Sequence, residues 1–237
     1  QCEGTCQDEK CSYTQSYTEG SSISGHWFQD LVQLGGALQE NPPVKATLGC
    51  HVDERKLFYT QRVNGIMGMA PHENSGRPTI LQDLFVDKAH VSTGVFAMCL
   101  AEWGGLLTVG GYDASYHSNA SQLQWLQLLH SGYYSVSLHN VEMDGVPLAA
   151  GQDAFGTCLV DSGTTFTYLP SQIFRVLSLE IAAVCTTPPG CGARREGEDC
   201  WRVDGPDGPT RFPPLTLVFE NDIRISWPPR AYLFERG

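Results

Sequence analysis

Residues 158–170 read C-L-V-D-S-G-T-T-F-T-Y-L-P and set one acid, Asp161, among small hydroxyl-bearing side chains. Leu159 and Val160 read as the end of a buried strand, and Gly163 permits a tight turn with the acid at its tip. Ser162 and Thr164 are short hydroxyl donors beside the carboxylate. Hydrogen bonds of that kind favour the ionised form and fix its orientation. A carboxylate held at a strand-to-turn junction can take up and return a proton. The plainer alternative for Asp-Ser-Gly alone is an ordinary turn, and the apolar L-V before it and T-T-F-T-Y-L-P after it argue for more.

The surrounding elements read mainly as strands. Residues 11–17 (C-S-Y-T-Q-S-Y) tend to a strand, T-E-G-S follows as a turn, and residues 22–34 form a second strand, giving a hairpin with Glu19 and Gly20 at its tip. Residues 46–50 are a strand. Residues 65–68 (G-I-M-G) are too apolar for a surface turn and read as a strand, with Met67 and Met69 as core filler. Residues 79–87 have helical spacing, with Ile80, Leu81, Leu84 and Phe85 on one face. Strands follow at 95–100 and 106–111. The polar stretch 112–130 reads as a boundary between two domains, 1–125 and 126–237. Residues 133–138 alternate, and Met143-Asp144-Gly145-Val146 is a hairpin turn. Ser171 reads as the cap of a helix to about residue 183, with Ile173, Phe174, Leu177 and Ile181 on one face. A Gly/Pro/Cys-rich loop, 185–211, leads to late strands at 212–221 and 223–233.

Composition narrows the function classes. The 237 residues are 41% hydrophobic and 17% charged, a globular balance with enough chain for one large domain or two lobes with a real core. A net charge of −11 argues against a nucleic-acid partner. No apolar run approaches the roughly 18 residues of a membrane helix. Nine cysteines without a CxxC metal pair point to disulfides in an oxidising compartment and away from zinc. Cys2, Cys6 and Cys11 suggest a disulfide-knotted edge, and the odd count leaves one partner missing or one thiol free. Cys50 and Cys99, both on predicted strands, are the first candidates for a pair, although sequence does not fix connectivity. Asn119-Ala120-Ser121 is a glycosylation sequon and a weak secretory sign.

The stretch around Asp161 resembles the second active-site motif of pepsin-like aspartic proteases, and T-T-F-T-Y-L-P is similar to the nepenthesin-type branch. The hairpin reads Y-T-E-G-S-S-I-S-G and resembles that family's flap, so that Tyr17 falls on the flap tyrosine that folds over bound peptide. Thr18 departs from the family's usual glycine, which should stiffen the tip. Residues 65–68 resemble the apolar-apolar-Gly strand that threads past a catalytic loop. F-A-M-C-L, G-G-L-L-T-V-G-G-Y-D, F-P-P-L-T-L-V-F and P-R-A-Y-L match family elements in order, so the likeness covers nearly the whole chain. Y-T-Q-S-Y-T-E-G-S and G-C-H-V-D-E-R-K-L-F-Y-T-Q-R-V-N-G-I-M-G-M bring it nearest the plasmepsin V-like export proteases.

The resemblance implies a mainly β, bilobal fold and an aspartic endopeptidase that needs no metal and no cofactor. Two close carboxylates share a proton. The ionised one activates a water, and the protonated one donates to the peptide carbonyl. Asp161 stands for one of them, supported by Ser162, Gly163 and Thr164. Tyr17, Glu19, Gly20 and Gln61 are the implied substrate contacts, with Glu19 taking the arginine of an Arg-x-Leu motif by a charge-assisted bond. Gln61 is the looser of these contacts.

No second Asp-(Ser/Thr)-Gly occurs in the sequence. The expectation is therefore a fragment cut at both ends, both lobes incomplete and inactive alone, with Cys158 pairing beyond residue 237. Polypeptides are the expected partners, and the endoplasmic reticulum or Golgi the expected setting. A membrane anchor beyond the last residue is left open. Two other readings stand beside this one: a non-catalytic pepsin-like binding or inhibitor protein, and a broad-specificity digestive protease.

Overall fold

The computed structural model describes residues 6–7, 10–35, 42–59, 63–71, 77–86, 91, 93–101, 104–116, 123–149 and 154–235. The chain is mainly β and divides into two compact units, Gln1–Leu123 and Gln124–Gly237.

In the first unit a four-stranded sheet runs in sequence order: β1 (Cys6–Gln7), β2 (Lys10–Ser16), β3 (Ser22–Val32) and β4 (Val44–Arg55). Antiparallel pairing of Ser16 with Ser22 closes the expected hairpin, and Ser22 also pairs with Arg55 on the other side. Ile23, Val44 and Ala46 are buried, as are Leu81 and Leu84 of α1 (Ile80–Val86), which packs against β4. The helix forms over the span that its spacing predicts. β5 (Phe96–Ala101) and β6 (Gly104–Val109) make a separate antiparallel ribbon. Cys50 on β4 and Cys99 on β5 are both exposed free thiols, so the pairing expected for them does not form. Cys11 is disulfide-bonded, in keeping with a knotted edge.

Residues 65–68 are not a strand. They run without regular pairing, Ile66 is 52% exposed, and Met67 and Met69 are only half-buried. Apolar character alone does not make a strand: among the described residues no strand pairs with 65–68.

The second unit is built on β7 (Ser135–Met143), the strand that most of the others share. β12 (Leu215–Phe219) pairs along one edge, with β13 (Arg224–Trp227) beyond it; β8 (Val146–Pro147) and β9 (Thr157–Leu159) pair with different parts of the same strand. The β7–β8 turn is Asp144-Gly145, with φ of 50° and 78°, the left-handed pair that a two-residue hairpin requires. Val141 and Leu215, facing each other's strands, are fully buried, with Val136, Leu138, Phe212 and Phe219 around them.

Helix α2 (Ser171–Thr186) buries Ile173, Leu177, Ile181 and Cys185, four residues apart each time as a helical repeat near 3.6 allows, and lays the last three on that core. Phe174 is 45% exposed and off this face, and Ser171 is the first helical residue, not the cap; Pro170 holds the cap position without a side-chain bond. Cys185 then joins Cys191 in a disulfide. A short ribbon, β10 (Ala193–Arg195) with β11 (Trp201–Val203), follows. The last expected strand is divided: after β13 the chain turns into α3 (Pro229–Tyr232), because Pro228 and Pro229 have no amide hydrogen for a ladder.

Candidate active site

Asp161 sits where β9 ends. Leu159 pairs with Ser135, the Val160 amide donates to the Tyr134 carbonyl at 2.8 Å, and the chain then leaves the sheet. Asp161 Oδ1 accepts from the Gly163 amide at 2.8 Å, and Oδ2 accepts from the Thr164 hydroxyl at 2.5 Å. The Thr164 amide reaches the Asp161 carbonyl at 3.3 Å, closing the turn. A side-chain carbon at position 163 would stand 3.2 Å from Oδ1, tighter than ordinary contact, so glycine leaves room for the amide's approach.

Each carboxylate oxygen therefore has one internal donor and spare lone pairs, on a residue exposed to solvent. That is a carboxylate fixed in orientation yet open to a reactant. Of the two hydroxyls expected beside it, Thr164 bonds to the carboxylate, whereas Ser162 does not. The second donor is the backbone of Gly163, which residue type alone did not reveal. Leu159 and Val160 are 52% and 57% exposed, so the strand end is not buried: β9 pairs only with β7 among the described residues.

Beyond the turn, Thr165, Phe166 and Thr167 border a cavity of about 510 Å³ walled by Phe174, Trp201 and Trp227. Phe166 meets Phe234 edge to face at 5.1 Å between centroids. Asp161 is not among the residues that line the cavity.

The hairpin tip belongs to the first unit. Tyr17 and Gly20 close a turn, the Gly20 amide donating to the Tyr17 carbonyl at 2.9 Å with Gly20 at φ 87°. Only glycine takes that conformation without strain. Tyr17 is half-buried, its ring 5.4 Å from that of Phe58, and burial pushes its hydroxyl pKa up, with the Glu19 charge adding to the shift.

Glu19 is exposed. Its carboxyl is held below the usual glutamate value, chiefly by the Ser21 hydroxyl and also by backbone amides and the Lys56 charge. Ser21 is fully buried, and its oxygen also accepts from the Leu57 amide at 3.3 Å. Beside Tyr17, Glu19 and Gly20, the implied substrate contacts, the structure gathers Ser21, Lys56 and Phe58 at the tip. The Ser22–Arg55 register brings the last two to the tip, and a single sequence does not display register. Gln61 lies outside the described residues, as do Cys2 and the sequon at 119–121.

The family model for eukaryotic aspartyl proteases matches residues 3–237. The chain belongs to that family. Among its relatives, Aspartic protease 5 of Toxoplasma gondii is 35% identical over 196 residues, covering 68% of this chain and 20% of that protein. Plasmepsin V of Plasmodium falciparum is 25% identical over 227 residues, covering 76% and 38%, and pepsin A of Sus scrofa is 28% identical over 237 residues, covering 96% and 55%. The chain thus spans only part of the length of the relatives it matches.

Proposed function

We propose that this chain is part of a secretory-pathway aspartic endopeptidase that cuts polypeptides at Arg-x-Leu type sites. The observation that carries the reading is the pair of donors on Asp161, one to each oxygen, in a turn otherwise open to solvent. In this scheme Asp161 is one of two carboxylates that share a proton. One binds and deprotonates a water, the other protonates the scissile carbonyl, and the resulting diol collapses with proton return to the leaving nitrogen. The two roles need two acids, and these 237 residues hold one Asp-(Ser/Thr)-Gly. By themselves they are expected to turn over no peptide.

Glu19 is the proposed specificity contact. It is an exposed carboxylate, held ionised at the tip of the hairpin whose tyrosine stands beside it. A guanidinium meets a carboxylate by two parallel bonds, which an ammonium cannot do. Gln61 is proposed as a further contact. The likeness to Aspartic protease 5 and plasmepsin V favours this reading over a broad digestive protease.

A peptide panel on the protease completed with its second acid tests it. Glu19→Ala should lower kcat/KM for Arg-x-Leu peptides by roughly ten- to a hundredfold, the worth of a charge-assisted bond, and leave Ala-x-Leu peptides nearly unchanged. Equal losses on both would remove Glu19 from this role.

A further inference from the structure

We propose that Lys56 is a built-in counter-charge for the hairpin-tip carboxylate and sets how strongly Glu19 favours a cationic side chain in a bound peptide. This rests on the reading of Glu19 as a substrate contact. Lys56 lies at the far end of β4, yet its ammonium rests on the hairpin tip: a side-chain carbon placed on Gly20 would collide with Lys56 Nζ.

The placement is fixed through the backbone. On one side Arg55 pairs with Ser22. On the other, the Leu57 amide donates to the oxygen of the fully buried Ser21. Between these two anchors Lys56 adopts φ 58°, a left-handed conformation that costs an ordinary L-residue about 1–2 kcal/mol. Strain of this kind persists only where the surroundings over-determine it.

The groups that hold the Glu19 carboxyl down are then the Ser21 hydroxyl first, the backbone amides of Glu19 and Ser21, and the Lys56 charge, while the Glu19 charge in turn acts on Tyr17. Among the described residues Lys56 is the one cation in this set. An incoming cation meets a carboxylate whose field Lys56 already offsets. That offset is the same for any incoming cation and absent for a neutral side chain. Lys56 therefore lowers the preference for arginine over alanine and for lysine over alanine by similar factors, and leaves arginine against lysine to the geometry of the bond.

Two measurements separate this inference from the reading beneath it. The first is the NMR titration of the Glu19 carboxyl with Lys56 present and in Lys56→Met. The midpoint should rise in the variant; an unmoved midpoint overturns the inference whatever Glu19 does to substrate. The second is kcat/KM of the completed protease on matched Arg, Lys and Ala peptides. Lys56→Met should raise the Arg:Ala and Lys:Ala ratios by roughly two- to fivefold, the range of exposed charge pairs, with Arg:Lys unchanged. If those ratios stay put in Lys56→Met but Arg:Ala collapses in Glu19→Gln, the inference is wrong and the Glu19 reading stands. If Arg:Ala survives Glu19→Gln, the Glu19 reading falls and takes the inference with it.

Discussion

Thr164 donates its hydroxyl hydrogen to Oδ2 of Asp161 at 2.5 Å, while the Gly163 amide holds Oδ1 at 2.8 Å. The carboxylate is thus gripped at both oxygens by two residues close behind it in sequence, Gly163 and Thr164. Thr164→Val keeps the shape and removes the donor. In the completed protease it should lower kcat/KM by about ten- to a hundredfold, the value of a hydrogen bond to a charged group, and Thr164→Ser should restore most of it. A valine variant with unchanged kinetics would mean that the hydroxyl does not position the acid.

The Glu19 carboxyl at the hairpin tip predicts a pH effect of one sign. Glu19 is held below the ordinary glutamate value, first by the Ser21 hydroxyl. A carboxyl depressed in the folded state adds stability above its unfolded value and loses it as pH falls through the folded value. The Glu19 contribution to the hairpin should therefore be lost on the acid side. Ser21→Ala should raise the Glu19 midpoint and shrink that acid-side loss, read by NMR titration and by amide exchange in β2 and β3. A midpoint that stays low in the variant would assign the shift to another donor.

Cys185 and Cys191, 5% and 1% exposed, tie the end of α2 to the segment just before β10. Closing a loop with a sequence separation of 6 constrains the unfolded chain by about 2 kcal/mol in the loop-entropy description. Replacing both by alanine should lower the urea midpoint by the corresponding amount. An unchanged midpoint under oxidising conditions would contradict a stabilising bridge.

Local chemistry was the legible part of this chain. The hairpin tip, the Asp144-Gly145 turn and the helix over 80–86 each follow from a few adjacent residues whose backbone preferences or apolar spacing admit few alternatives. What stayed hidden depended on partners far away in sequence. Residues 65–68 and Leu159-Val160 look like core because they are apolar, but burial needs something packed against them, and here all but the half-buried Met67 are exposed. Ser162 and Thr164 are equivalent by residue type; only the turn geometry decides which hydroxyl reaches the carboxylate. Cys50 and Cys99 failed as a pair for the same reason, since lying on strands does not make two cysteines neighbours.

The most direct test is Asp161→Asn in the protease completed with its second acid, assayed on an Arg-x-Leu peptide at saturating and subsaturating concentrations. The substitution keeps the turn and removes the proton-carrying group. The account predicts that kcat falls on the order of a thousandfold or more, while peptide binding is largely kept. Turnover within tenfold of the parent would show that Asp161 does not carry the chemistry.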